Sequence, residues 1–223
     1  MIHRIKSQIV ERKELTKDVI LLKFERPKEF DFKAGQFVNI RIRKNDLTRM
    51  RAYSILNPPE ENSLDICLKI VKGGFASEVF EKAKVGDEFE IVGPFGYFVF
   101  EKDFSKHEFI CAGTGIVPFY SMIKEHITDK SKSFRLVVSY KTKEDLLFHE
   151  ELIQLEKDNS NFGYVPTLTR DSWNGDTGRV QNHIELEKDI YYICGLRDLV
   201  LDTKEYLIKK EIKEEKIRVE RYN

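Results

Sequence analysis

The hydrophobic period of this chain changes once, near residue 106, and that change limits the folds open to it. Before it, apolar and polar residues alternate at period two, the pattern of half-buried strands. Ile20, Leu22 and Phe24 share one face, and Val38, Ile40 and Ile42 share another. Leu64, Ile66, Leu68 and Ile70 form the longest face, with Asp65, Cys67 and Lys69 pointing the other way. Turn sequences divide the runs at Lys33-Ala34-Gly35, Asn57-Pro58-Pro59, Gly73-Gly74 and Gly93-Pro94. Short strands divided by turns predict an N-terminal antiparallel β-barrel or sandwich over residues 1–101, with a short helix at about 76–82. Beyond residue 106, apolar runs at 108–112, 134–140, 164–168, 190–194 and 217–220 alternate with helical stretches at 144–157 and 197–210. Strand–helix alternation predicts a C-terminal α/β parallel-sheet domain over residues 106–223, which takes ligands at the carboxyl ends of its strands. The boundary at 101–106 is short, so the two domains are expected to pack together rather than hang on a tether. No internal repeat or low-complexity linker interrupts either half.

Composition narrows the function. The 38 basic and 38 acidic residues cancel, which leaves no net basic footprint for general nucleic-acid binding. No apolar run approaches the roughly 20 residues of a membrane span. Met1-Ile2-His3-Arg4 leads straight into strand-like alternation, so the expectation is a cytoplasmic protein without a signal peptide. Cys67, Cys111 and Cys194 stand apart from one another, and no pair has the spacing of a zinc or iron–sulfur site. No metal is expected, and any redox chemistry must come from a bound organic cofactor. Cys111 reads as a small core residue. His107, His126, His149 and His183 belong to no motif and read as surface residues. Trp173, in a polar loop, could pack on a domain edge or cover a bound nucleotide.

Three short motifs sit at element boundaries. Arg51-Ala52-Tyr53-Ser54 combines a phosphate-binding cation, an aromatic ring and a hydroxyl, with Arg51 and Tyr53 on one strand face. Lys72-Gly73-Gly74-Phe75-Ala76-Ser77 puts glycines and a hydroxyl before a short helix, a candidate phosphate cradle. Cys111-Ala112-Gly113-Thr114-Gly115-Ile116-Val117-Pro118 follows a strand and opens a helix, so backbone N–H groups can face an anion. Pro118 stands where the usual dinucleotide fingerprint has its third glycine, a comfortable place in a first helical turn. In isolation, each is as simply an edge strand or a tight turn. Their order gives them meaning.

Taken in that order, the chain resembles the ferredoxin–NADP reductase superfamily. Its Arg-x-Tyr-Ser motif is matched at 51–54, its Gly-x-x-Ser at 74–77 and its Gly-Thr-Gly-Ile-x-Pro at 113–118. Its Cys-Gly is matched at Cys194-Gly195, and its terminal Glu-x-aromatic at Glu220-Arg221-Tyr222. The resemblance implies an FAD-binding barrel followed by an NAD(P)-binding parallel-sheet domain. It further implies that Arg51 pairs with the FAD pyrophosphate, Tyr53 packs on the isoalloxazine and Ser54 bonds near flavin N5. Gly74 and Ser77 would hold the pyrophosphate, with Ala52, Ile70, Lys72, Phe75 and Ala76 also at the cofactor. Gly113, Thr114, Gly115 and Pro118 would receive the nicotinamide dinucleotide, with Cys194 and Gly195 near its ring. Glu220 and Tyr222 would lie at the flavin's other edge, and Ser54, Cys194 and Glu220 make the implied catalytic set. Asn223 follows Tyr222, a departure from the plant-type pattern that puts the aromatic's stacking in question.

The implied activity is hydride transfer from NADPH or NADH to FAD, with electrons passed to a separate ferredoxin, flavodoxin or small haem protein. A fused 2Fe–2S domain is not expected, because the four cysteines it needs are missing. The alternatives are an NAD(P)H:free-flavin reductase, or a non-catalytic or electron-transfer subunit of a larger complex. For coenzyme choice, the second strand of the α/β half ends at Tyr140-Lys141, without the carboxylate that holds a ribose 2′-hydroxyl. The third ends at Thr169-Arg170, like the hydroxyl–arginine pair of NADPH-using relatives, with Arg179 as a second cation and Asp171 as an opposing charge. The reading favours NADPH, with NADH also accepted.

Overall fold

In the computed structural model, which describes residues 1–222, the period-two half forms strands β1 (His3–Thr16), β2 (Val19–Glu25), β3 (Phe37–Lys44), β4 (Leu47–Ser54), β5 (Ser63–Lys69) and β6 (Glu88–Phe95). They make one antiparallel sheet in the order β4-β3-β6-β1-β2-β5. A bridge from Ile55, just past β4, to Ile66 of β5 joins the two edge strands and closes the sheet there. Leu22, Phe24, Val38, Ile40, Ile42 and Ile91 fill the interior, each burial favourable by about 1.5–3 kcal/mol. Helix α1 (Ser77–Phe80) adds Phe80 to that core. On β5 the expected alternation fails, because Asp65 and Cys67 are buried as well. The loop after β4 supplies the reason. Asn57 donates to the Ser63 carbonyl at 2.9 Å and accepts from the Asp65 N–H at 2.8 Å, so the second face of β5 is covered too.

The chain divides into two compact units, Met1–Val99 with Tyr120–Glu125, and Phe100–Phe119 with the chain from His126 onward. In the second, parallel strands β7 (Lys106–Ala112), β8 (Ser133–Tyr140), β9 (Phe162–Leu168), β10 (Asp176–Thr177), β11 (Ile190–Leu196) and β12 (Ile217–Tyr222) lie in the order β10-β9-β8-β7-β11-β12. Helices α2 (Val117–His126), α3 (His149–Asp158) and α4 (Arg197–Lys209) connect them. Ile110, Val137, Tyr191, Ile193 and Leu207 form the core. The chain lays β8 and β9 on one side of β7, then returns to place β11 and β12 on the other. The order therefore reverses between β7 and β11, and a crevice beyond their carboxyl ends is where such sheets bind ligands.

Two expectations need correction. The helix expected over 144–157 is a 3₁₀ turn, Lys143–Asp145, followed separately by α3. Asp145 accepts from both the N–H and the hydroxyl of Thr142 at 3.0 Å, a capping box that starts this turn, and Leu146 at ψ 119° ends it. Leu147 then enters the core and Phe148 takes φ +56° before α3 begins. His107 is fully buried rather than at the surface. It lies in β7 within an aromatic stack, 4.4 Å from the Phe100 ring centroid, and burial lowers its pKa. His126, His149 and His183 are half-buried. No helix among the described residues is long and apolar enough to cross a membrane.

Candidate functional site

The flavin-side residues cluster on the edge strand β4 and the turn before α1. In the β3–β4 register Arg51 faces Ile40 and Tyr53 faces Val38. Directly opposed residues share a face of the sheet, and Val38 and Ile40 are interior. Arg51 and Tyr53 therefore stand on the interior face, as the period-two argument requires. The Tyr53 ring packs edge-on against Phe80 at 5.6 Å, and burial pushes its hydroxyl up to about 12. Arg51 is exposed, with Nη1 donating to the Met50 carbonyl at 3.0 Å, and Ala52 is exposed beside it. Ser54 ends β4 and is buried.

The turn at 73–77 is built for close backbone approach. A Cβ on Gly74 would lie 2.9 Å from both the Ser77 hydroxyl and the Val71 carbonyl, so only glycine fits without a shift. Gly73 takes φ +74°, which glycine adopts at no steric cost. The N–H groups of Phe75, Ala76 and Ser77 find no backbone acceptor among the described residues. The Ser77 hydroxyl turns inward and accepts from the Val71 N–H at 2.9 Å. That bond ties the two ends of the loop together. Ile70 and Lys72 flank this turn, half-buried and exposed respectively. An arginine without a counter-ion on β4, together with unmatched N–H donors in the turn before α1, fits the pyrophosphate of a flavin dinucleotide.

In the second unit the 3₁₀ turn Gly113–Ile116 sits at the carboxyl end of β7, directly at the reversal of strand order. Gly113 takes φ +52° with open space around its Cβ position, and Pro118 falls in the first turn of α2. A Cβ on Gly115 would lie 2.5 Å from the Cys194 carbonyl oxygen, so this glycine lets the turn seat on the end of β11. The glycine turn and the strand ends at the reversal of strand order fit a dinucleotide phosphate. Thr114 is half-buried there.

Cys194 is paired in register with Cys111 on one side and Glu220 on the other, and both cysteines are fully buried. Burial and then the Glu220 carboxylate raise the Cys194 thiol, while a hydrogen bond with Tyr222 acts against them. Tyr222, half-buried at the end of β12, thus serves Cys194 in this structure. Asn223 lies outside the described residues. Gly195 is buried beside Cys194.

Beyond β9, Thr169 and Arg170 are both exposed, and Arg170 has no ion-pair partner among the described residues. The Thr169 hydroxyl donates to the Tyr140 carbonyl at 3.1 Å. Asp171 accepts from the N–H groups of Ser172 at 2.9 Å and Lys143 at 3.4 Å. Arg179 is paired with Asp202 at 3.4 Å. Trp173 donates to the Asp176 carbonyl at 2.7 Å and lies 5.7 Å from the His149 ring, so it packs on its own loop. Arg49, two residues before Arg51 and outside any motif, stacks on Phe75 at 4.6 Å. Among the described residues no group of His, Cys, Asp and Glu could hold a metal ion.

Comparison with known proteins agrees with this geometry. Residues 6–100 match the oxidoreductase FAD-binding domain family and residues 109–205 the oxidoreductase NAD-binding domain family. The chain is 30% identical to ferredoxin–NADP reductase B of Sorangium cellulosum, with 97% of each chain covered. It is 29% identical to the phenol hydroxylase P5 protein of Acinetobacter pittii, over all of this chain and 66% of that protein. In fold it superposes, with a TM-score of 0.90 and 24% identity over 98% of both chains, on a ferredoxin–NADP reductase from Neisseria gonorrhoeae solved with bound FAD and NADP. With relatives matched over both halves, this chain belongs to the ferredoxin–NADP reductase-like family of FAD- and NAD(P)-dependent oxidoreductases.

Proposed function

We propose that this flavoenzyme oxidises NADPH, and NADH less well, and passes the electrons to a separate small redox protein such as a ferredoxin or flavodoxin. Bound FAD supplies the chemistry that takes a two-electron hydride and releases electrons singly. The chain's own residues bind and orient. Arg51 and the N–H groups at 75–77 hold the pyrophosphate, Tyr53 packs against the flavin ring, and Ser54 donates a hydrogen bond near N5 without adding charge. The turn Gly113–Ile116 receives the nicotinamide dinucleotide, while Cys194, Glu220 and Tyr222 shape the strand ends beside it. The observation that carries the reading is the Gly113–Ile116 turn seated at the strand-order reversal. A reductase named for ferredoxin that matches this chain along 97% of both lengths supports the separate acceptor. Domain limits of 1–101 and 106–223 are proposed for the two functions.

The test is to purify the full chain, measure its FAD content, and follow NADPH oxidation with ferredoxin, flavodoxin, ferricyanide or free FMN as acceptor. Turnover with ferredoxin or flavodoxin supports the proposal. Turnover with free flavin alone would make it a flavin reductase, and no turnover with any acceptor would make it a non-catalytic subunit.

Two variants probe the roles. Ser54→Ala is expected to keep FAD but slow its reduction several-fold. The loss should be no more than the roughly 10²-fold seen when a developing charge loses one donor. Stopped-flow absorbance checks this, and an unchanged rate would leave Ser54 a structural residue. Arg170→Ala is expected to lose about 10-fold in kcat/KM with NADPH and little with NADH, as one charge-assisted contact to a 2′-phosphate implies. Equal losses with both coenzymes would refute that role.

A further inference from the structure

The interior face of β4 carries one more cation than the flavin motif accounts for. The β3–β4 register sets Arg49 opposite Ile42, Arg51 opposite Ile40 and Tyr53 opposite Val38. All three partners on β3 are completely enclosed. Two exposed arginines therefore stand side by side on the face whose partners on β3 line the apolar interior. Neither forms an ion pair among the described residues. Arg51 has only the Met50 carbonyl, and the Arg49 guanidinium lies flat-ring distance, 4.6 Å, from the centroid of Phe75.

Carboxylates are close by, but other cations hold them. Arg41, on the outer face of β3, lies 3.1 Å from Glu90. Lys44 is bonded to Glu78, which holds that carboxyl below its ordinary range. The acid nearest the turn is thereby neutralised. Arg49 is left against Phe75 of the turn, and Arg51 two residues along the same face, without a counter-charge among the described residues. Residues two apart on a strand are about 6.6 Å apart, so the two guanidinium groups can each take a separate phosphoryl group. A monophosphate can engage only one of them fully. Stacking on Phe75 also orders the Arg49 side chain before any ligand arrives.

We propose that Arg49, held on Phe75, is a second diphosphate-binding arginine, and that it makes this site select a flavin carrying a diphosphate over one carrying a monophosphate. The proposal rests on the reading that Arg51 and the turn at 74–77 receive the cofactor's pyrophosphate, and the experiment separates the two.

The full chain and its Arg49→Ala, Arg49→Lys and Arg51→Ala variants are dialysed to equilibrium against FAD or FMN, and bound flavin is measured at low and moderate salt. Arg49→Ala is expected to weaken FAD about 10-fold and FMN about twofold or less, as loss of one charge-assisted contact implies. Arg49→Lys should recover only part of the loss, because lysine keeps the charge but not the planar fork or the stack. Thermal unfolding of the unloaded variants checks that the fold is kept, and an exposed, unpaired position predicts a change within about 0.5 kcal/mol. FAD binding by Arg49→Ala within twofold of wild type, while Arg51→Ala loses about 10-fold or more, overturns the Arg49 assignment alone. Equal losses for FAD and FMN overturn the selectivity. Unchanged binding in both alanine variants overturns the reading of the β4 face itself.

Discussion

Gly115→Ala is expected to slow flavin reduction by NADPH by about 10²-fold or more while FAD stays bound. The added Cβ would lie 2.5 Å from the Cys194 carbonyl oxygen and 3.2 Å from the Gly195 Cα. Both are backbone atoms at the end of a central strand, so no side chain can rotate out of the way. The turn Gly113–Ile116 must lift from β11 instead, and a shift of about 1 Å in a substrate-positioning element can cost on the order of 10²-fold. Gly113→Ala is the contrasting variant. Its φ of +52° carries strain, but nothing lies within 4 Å of the added atom, so it should cost about 1–2 kcal/mol of stability and less rate. Stopped-flow reduction of both variants, with FAD content measured first, decides the matter. A Gly115→Ala rate within about threefold of wild type would mean that the turn does not seat the nicotinamide dinucleotide.

Glu108→Ala is expected to destabilise the protein by about 1–3 kcal/mol, the cost of leaving buried donors without their acceptor, because Arg135 and Lys188 keep Glu185 at 3.1 and 2.6 Å; that is on the order of 5 °C in Tm. Glu108 is fully buried in β7. Its carboxylate accepts from the Arg135 guanidinium and from the Glu185 N–H, the latter at 3.1 Å, and Lys188 lies 4.0 Å away. Burial pushes its pKa up to about 7, against the pull of Arg135, the Glu185 N–H and Lys188. Above its ordinary value of 4.5 the unfolded chain releases this proton, and the folded chain keeps it until about pH 7. The stabilisation is therefore complete below the ordinary value and lost as pH rises through about 7. Urea midpoints should fall between these limits in wild type. Glu108→Gln, which cannot titrate, should flatten that fall, and an unchanged pH slope in this variant would show that Glu108 does not cause it.

Local signals in the chain were enough to announce both halves and most of the cofactor turns. Period two follows from the pleat of a strand, and strand–helix alternation from the geometry of a parallel sheet, so both can be read from neighbours within about ten residues. The glycines at 73, 74, 113 and 115 likewise answer to backbone requirements of the turns that hold them. The break at Phe148 was partly legible, since Thr142 and Asp145 have the spacing of a capped turn, but an apolar run that continues past them reads as helix.

Strand order, burial at β7 and the environment of each charge came only with tertiary structure, because each depends on residues far away in the chain. Nothing local to 190–196 says that β11 returns beside β7, yet that return creates the strand-order reversal where Gly113–Ile116 lies. His107 reads from sequence as a surface residue, but β8 and β11 flank its strand on both sides. Packing on both faces of that central strand buries it. Arg49 has the same sequence character as Arg43 or Lys44. Register alone puts it on the interior face, and the pairing of Lys44 with Glu78 alone leaves it without a counter-charge. Sequence thus determined which backbone shapes and residue types are available, while long-range strand pairing decided which of them face one another.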